Sequence, residues 1–157
     1  MSPALSDQTR KKIEEIAARY ARKEAALLPV LHVIQNEVGF ISSQEEKQVA
    51  DLLGIRPIKV KEVVTFYTMI NQEPLGKYHI QVCSNISCSL LGAESLIEHL
   101  KNKLEIEIGE TTKDKKFSLS TVECLGACEQ APCMMINFDY YGNLDKKKID
   151  KILDSLE

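Results

Sequence analysis

Hydrophobic residues recur at three- and four-residue intervals through the first half of the chain, the spacing of one buried face on a helix. Ser6 is placed to cap a first helix that carries Ile13, Ile16, Ala17 and Tyr20 on one side and basic pairs on the other. Pro29 stands where a second helix can begin, and LLPVLHVIQNEVG supplies its apolar face until Gly39 stops it. A third starts at Ser43, with Glu46 as the partner of a capping box, and ends at Leu52, Leu53 and Gly54. The fourth opens at Pro57 and runs through Val60, Val63, Val64 and Tyr67. Short helices joined by short turns predict a small bundle.

The pattern changes near NQEPLGK, where Pro74 and Gly76 interrupt both periodicities. Beyond it YHIQVC predicts a strand, LLGAESLIEHLKNKL a helix with Leu96, Ile97, Leu100 and Leu104 on one face, and FSLSTVEC a second strand. PCMMINF has strand length, DYYGN has the composition of a turn, and Ile149, Ile152, Leu153 and Leu156 mark a C-terminal helix. A strand–helix–strand unit followed by a further strand and helix predicts a small α/β sandwich. The expected architecture is therefore an α+β chain in two parts, a helical domain over residues 1–73 and an α/β domain over 74–157. No internal repeat or low-complexity stretch complicates it.

Composition narrows the class. With 157 residues, 44% of them hydrophobic and 27% charged, the chain can bury one moderate core or two small ones. A net charge of −3 gives no global attraction to nucleic acid or anionic lipid. The opening residues lack an apolar signal region and no window is long enough for a membrane span, so a cytosolic location is expected. No phosphate-binding glycine loop, dinucleotide fingerprint, nucleophile elbow or H-E-x-x-H zinc motif occurs, so no complete catalytic site is expected on this chain.

The five cysteines carry the chemistry. Cytosolic cysteines are usually thiols or metal ligands, and an odd count suits a four-ligand site plus one bystander. Cys83 and Cys88 form C-x4-C, and Cys124 and Cys128 form C-x3-C. Each pair follows a strand, in the loop region where open α/β folds present ligands. Thiolates suit either zinc or a [2Fe-2S] cluster. Structural zinc most often uses tighter turns, whereas the wider intervals and the small Gly126 and Ala127 leave room for a binuclear cluster. Zinc and disulfides stay open as alternatives. Cys133, in APCMMINF, is read as the bystander, a small buried thiol on an apolar strand. His32, His79 and His99 are not spaced for a Rieske centre. Neither Lys nor Arg occurs between Tyr78 and Leu100 or between Phe117 and Asp145. A cluster held by four thiolates is already negative, so this gap implies a low reduction potential.

QVADLLGIRPIKVKEVVTFY offers a competing reading, since A-x-x-L-G-I followed by a proline-started helix resembles a helix-turn-helix with Lys59 and Lys61 toward phosphate. The second helix is rich in Val, Phe and Tyr and poor in base-reading side chains, and the chain is acidic, which weakens a redox-sensing regulator.

Motifs in both halves, in order, carry a more specific resemblance. LLPVLHVIQNEVGFIS and VKEVVTFYTMI resemble the helical domain of the E-type subunit family of NADH:quinone oxidoreductase, respiratory complex I. YHIQVCSNISC, GETTKDKKFSLSTVECLGACEQAP and the DYYGNL turn resemble its thioredoxin-like ferredoxin domain. The resemblance implies an N-terminal helical bundle followed by a thioredoxin-like α/β ferredoxin domain, with one [2Fe-2S] cluster on Cys83, Cys88, Cys124 and Cys128. Cys133 stands where the family usually has an apolar residue, so no ligand role passes to it. The implied partner is the F-type flavoprotein subunit, which holds FMN, a [4Fe-4S] cluster and the NADH site. The cluster on this chain is then a side acceptor of one electron from the flavin, in a complex lying against the inner face of a bacterial membrane. Phe66, Tyr67 and the face around Val63 are candidates for the partner surface. The same module serves as the diaphorase subunit of NAD-linked hydrogenases and formate dehydrogenases, which the motifs do not separate.

Overall fold

The computed structural model describes residues 5–156; the outer ends of the two expected domains lie outside that range. Two compact units divide the chain, one ending at Pro74 and the other beginning at Leu75.

The first unit is helical. Helix α1 (Asp7–Ala17) starts at Ser6, whose Oγ accepts the Thr9 N–H at 3.2 Å, and it buries Ile13 and Ala17. Tyr20 lies past its end and is exposed, so it leaves the expected apolar face. A 3-10 turn at Lys23–Ala26 leads into α2 (Leu27–Val38), which buries Leu27, Val30, Leu31 and Ile34 and stops at Gly39 with φ 92°. Helix α3 (Ser43–Leu53) is capped one residue earlier than expected. Ser42 takes the cap and Glu45, not Glu46, completes the box through the Ser42 N–H at 2.8 Å. Glu46 instead holds Lys61 at 3.1 Å, which leaves the buried Glu45 as the carboxylate facing the cap. Helix α4 (Pro57–Phe66) buries Val60 and Val64. Packing of α1 on α2 and of α3 on α4 closes one core, each fully buried Leu, Ile or Val contributing about 1.5–3 kcal/mol.

The second unit is a mixed four-stranded sheet in the order β2–β1–β3–β4. Strands β1 (Tyr78–Cys83) and β2 (Phe117–Val122) run parallel, with Ile80 beside Leu119 and Cys83 beside Val122. Strand β3 (Met134–Ile136) lies antiparallel to β1, and β4 (Asp139–Tyr141) antiparallel to β3. DYYGN is thus not a turn: its first three residues are β4, and the two-residue turn is Asn137–Phe138. Asn137, at φ 55°, accepts the His79 N–H through Oδ1 and donates Nδ2 to the Lys77 carbonyl, extending the edge of β1.

The helix expected over LLGAESLIEHLKNKL forms from Ala93 onward, and a short helix that was not expected precedes it. Short α5 (Ile86–Leu90) ends before Gly92, whose φ of 94° breaks the run, and α6 (Ala93–Leu104) follows. Helix α6 packs on β1 and β2 and buries Leu96, Ile97 and Leu100. Helix α7 (Lys146–Ser155), capped by Asp145, adds Ile149 and Leu153. No helix among the described residues is long and apolar enough to cross a membrane.

Candidate metal centre

The sheet delivers the cysteines to one end of the second unit. Cys83 is the last residue of β1, and its N–H donates to the Cys133 carbonyl at 3.1 Å. The antiparallel register that pairs Val82 with Met134 sets Cys83 opposite Cys133. Cys88 arrives from α5, whose first turn is fixed by Asn85 Oδ1 accepting the Ile86 N–H at 2.9 Å. The Ser84 N–H and Oγ both donate to the Val122 carbonyl, at 3.0 and 3.1 Å, tying the loop after β1 to the end of β2.

The second pair sits on the loop after β2. Cys124 and Cys128 are exposed, with Gly126 in the left-handed region at φ 70° donating its N–H to Cys124 Sγ at 3.3 Å. Leu125 and Ala127 of this loop pack against the buried cysteines, and the Leu125 N–H donates to Cys83 Sγ. From the other side the loop is braced by the residues after β4. The Asn143 N–H donates to the Gln130 carbonyl at 2.6 Å and the Leu144 N–H to the Pro132 carbonyl at 3.1 Å. Gly142 lies so close that a β-carbon there would stand 2.3 Å from Gln130 Cβ.

Cys83, Cys88 and Cys133 bring their sulfurs within 4.8 Å of one another, and all three are buried. Cys88 and Cys133 are 3.8 Å apart. Burial works against charge on Cys83, but N–H groups of Asn85 and Leu125 and the two neighbouring thiols outweigh it and hold this thiol below its usual range. Burial pushes Cys88 up, and it pushes Cys133 up to about 12, with the hydrogen bond to Cys88 adding to it. One sulfur is therefore the preferred thiolate, served by two thiol donors.

Of the four cysteines expected as ligands, two are in this buried group and two stand exposed on the adjoining loop. Cys133 is buried, as expected of a bystander, yet its sulfur is the third of the group. The donor set suits a [2Fe-2S] cluster: every donor is sulfur, the cradle residues Ala93, Ala127 and Ala131 are small, and backbone N–H groups already point at Cys83. In the helical unit, Lys59 and Lys61, which the helix-turn-helix reading directs at phosphate, are engaged by Glu62 at 2.8 Å and Glu46 at 3.1 Å. Phe66 is 76% exposed, whereas Tyr67 and Val63 pack against the helical core.

A family model for thioredoxin-like [2Fe-2S] ferredoxins matches residues 13–157. The chain is 47% identical over 146 residues to the NADH-quinone oxidoreductase E-type subunit 2 of Rhizobium meliloti, covering 93% of this chain and 87% of that one. It is 43% identical over 147 residues to the NADH-quinone oxidoreductase E-type subunit of Rickettsia conorii, covering 92% and 88%. Identity is 41% over 149 residues to the mitochondrial NADH dehydrogenase [ubiquinone] flavoprotein 2 of Dictyostelium discoideum, covering 93% of this chain and 60% of the other. Among solved structures, an NAD+-reducing [NiFe]-hydrogenase in the H2-reduced state matches the fold with a TM-score of 0.75 at 24% identity, over 86% of this chain and 22% of that one.

Proposed function

From the premise that the chain belongs to the thioredoxin-like [2Fe-2S] ferredoxin family, we propose that it is the E-type electron-transfer subunit of an NADH:quinone oxidoreductase, working beside a flavoprotein that holds FMN and the NADH site. One observation carries this reading: the likeness to E-type subunits runs through the helical unit as well as the ferredoxin unit, over 93% of the chain. A free ferredoxin needs no such helical unit.

Cys83 and Cys88 from the end of β1 and α5, with Cys124 and Cys128 from the loop after β2, would hold the cluster. Bound there, a [2Fe-2S] cluster supplies one-electron transfer, at low potential, with the reduced flavin of the partner as donor. The chain's own part is to orient these sulfurs, to direct the N–H groups of Asn85 and Leu125 at Cys83, and to present the site to the partner. Ile86, Leu90 and Leu91, which are 70%, 81% and 60% exposed, flank Cys88 and give the partner an apolar surface beside the ligands. Phe66 offers a second contact from the helical unit. Hydride transfer, the [4Fe-4S] cluster and proton translocation belong in this reading to other subunits of the parent enzyme, with the chain on its cytoplasmic peripheral arm.

Affinity purification of the tagged full chain from its native cells tests the assignment. Recovery of an FMN-containing, NADH-oxidising partner together with quinone-reducing activity is expected. Recovery with hydrogenase or formate dehydrogenase subunits would move the chain to the diaphorase class, and recovery of the chain alone would overturn the reading. A redox titration of the purified chain is expected to give a negative midpoint potential.

A further inference from the structure

Cys133 is the residue the cluster reading does not use, although its sulfur is 3.8 Å from that of Cys88 and belongs with Cys83 and Cys88 to one group spanning no more than 4.8 Å. Metal–sulfur bonds of about 2.3 Å place the sulfurs of a trigonal three-thiolate ion about 4 Å apart. The group is within an ångström of that size. Its compactness suits a single ion; the exposed Cys124 and Cys128 are not part of it.

The surroundings select the ion. Ala93, Leu125, Ala127 and Ala131 close around the three sulfurs, and no other Cys, His, Asp or Glu among the described residues joins the group. Soft thiolates suit Cu(I), zinc and iron–sulfur clusters, but structural zinc is almost always four-coordinate and a [2Fe-2S] cluster takes four cysteines, so a closed group of three sulfurs favours Cu(I), which accepts trigonal coordination. We propose that Cys83, Cys88 and Cys133 of the cluster-free chain form a buried trithiolate site for a single Cu(I) ion. Each protonated thiol releases its proton to solvent as its sulfur binds, and copper stays in the monovalent state. Because Cys83 and Cys88 are shared with the proposed cluster ligands, copper and cluster exclude each other; that exclusivity, unlike the copper site, rests on the function proposed above.

The test is an anaerobic titration of the full-length, cluster-free chain with Cu(I) against a chromophoric Cu(I) chelator, with X-ray absorption to count sulfurs. The parent chain should take one Cu(I) in a three-sulfur shell. Cys133→Val, with folding checked by circular dichroism, should bind on the order of tenfold or more weakly and lose one sulfur. A Cys124→Ser/Cys128→Ser double variant should bind like the parent. A two- or four-sulfur shell in the parent chain overturns the site without recourse to any variant. So does unchanged binding by Cys133→Val, or equal weakening in the double variant. Reconstitution with iron and sulfide should succeed in the copper-free parent chain and fail once that chain holds one equivalent of Cu(I). A parent chain that keeps its three-sulfur copper and still assembles a cluster refutes the shared ligand set and leaves the copper site standing.

Discussion

Replacing Gly142 with alanine tests whether the second ligand loop is held in place by close packing. Gly142 is buried, and an added β-carbon would stand 2.3 Å from Gln130 Cβ and 2.8 Å from the Gln130 carbonyl oxygen. The Gln130 side-chain tip can swing aside, but its Cβ and carbonyl cannot move without moving the chain. Gln130 closes the 3-10 turn that begins at Cys128, so the displacement passes directly to a proposed ligand. Forcing an extra methyl into a packed contact costs about 1–3 kcal/mol. In a domain of this size each kcal/mol lowers the melting temperature by about 4–8 °C, so a loss of roughly 8–16 °C is expected at the middle of that range.

Stability alone would not identify the loop as the target, so a matched control is needed. Gly76→Ala meets backbone as well, 2.9 Å from the Phe117 carbonyl carbon at the start of the β1–β2 pair, and none of its close contacts involves the cysteine loops. Thermal melts followed by circular dichroism and EPR of the dithionite-reduced chain separate the two. Both variants should melt earlier, and only Gly142→Ala should broaden or lose the S = 1/2 signal. A Gly142→Ala chain that melts within about 2 °C of the parent with an unchanged signal would refute the packing argument.

Cys88→Ala should abolish the binuclear EPR signal while the fold persists by circular dichroism, since the loss removes a proposed ligand and leaves α6 and the sheet intact. Ser42→Ala should destabilise the helical unit by about 1–2 kcal/mol, measured by urea unfolding, because it removes the cap on the Gln44 N–H at 3.1 Å and the hydroxyl donor to buried Glu45. Burial holds His79 below its usual range, with Nε2 2.7 Å from Ser120 Oγ. A depressed folded value means the neutral ring contributes stability above the ordinary histidine value of about 6.5, lost as pH falls through the lower folded value. Stability of the ferredoxin unit should therefore drop on acidification below about pH 6.5. His79→Gln should flatten that slope, and an unchanged slope would remove His79 from the account.

Helix existence was legible wherever the apolar spacing was regular and the punctuation chemical: Ser6, Gly39, Pro57 and Gly54 all stand at the helix ends where their backbone preferences put them. Boundaries failed where two residues compete for one job. Ser42 and Ser43 cap equally well in isolation, and tertiary burial of Glu45 together with the Lys61–Glu46 pair decides between them. DYYGN misled because Asp, Gly and Asn mark turns locally, while the strand identity of Asp139–Tyr141 comes from pairing with β3. The position of Cys133 was hidden for the same reason. Its apolar neighbours announce burial, but the sulfur it meets depends on β3 lying antiparallel to β1, a long-range register that no local pattern encodes.

The two proposed ligand pairs differ in how firmly the fold holds them, and the difference suits electron exchange with a partner. Cys83 is fixed by the β1 ladder and Cys88 by a capped turn, both buried. Cys124 and Cys128 are exposed, on a loop positioned by packing under Leu125 and by the brace after β4, where Lys148 Nζ also donates to the Gly142 carbonyl. That amine reaches the brace from outside the cation-free stretches, so positive charge next to the ligand loop comes from α7 and not from the cysteine segments themselves. A fully buried set of four would insulate the electron, and a fully exposed set would leave the thiolates open to oxidation. One buried pair and one exposed pair give a rigid half that fixes geometry and an outward half through which the proposed flavoprotein partner would be reached.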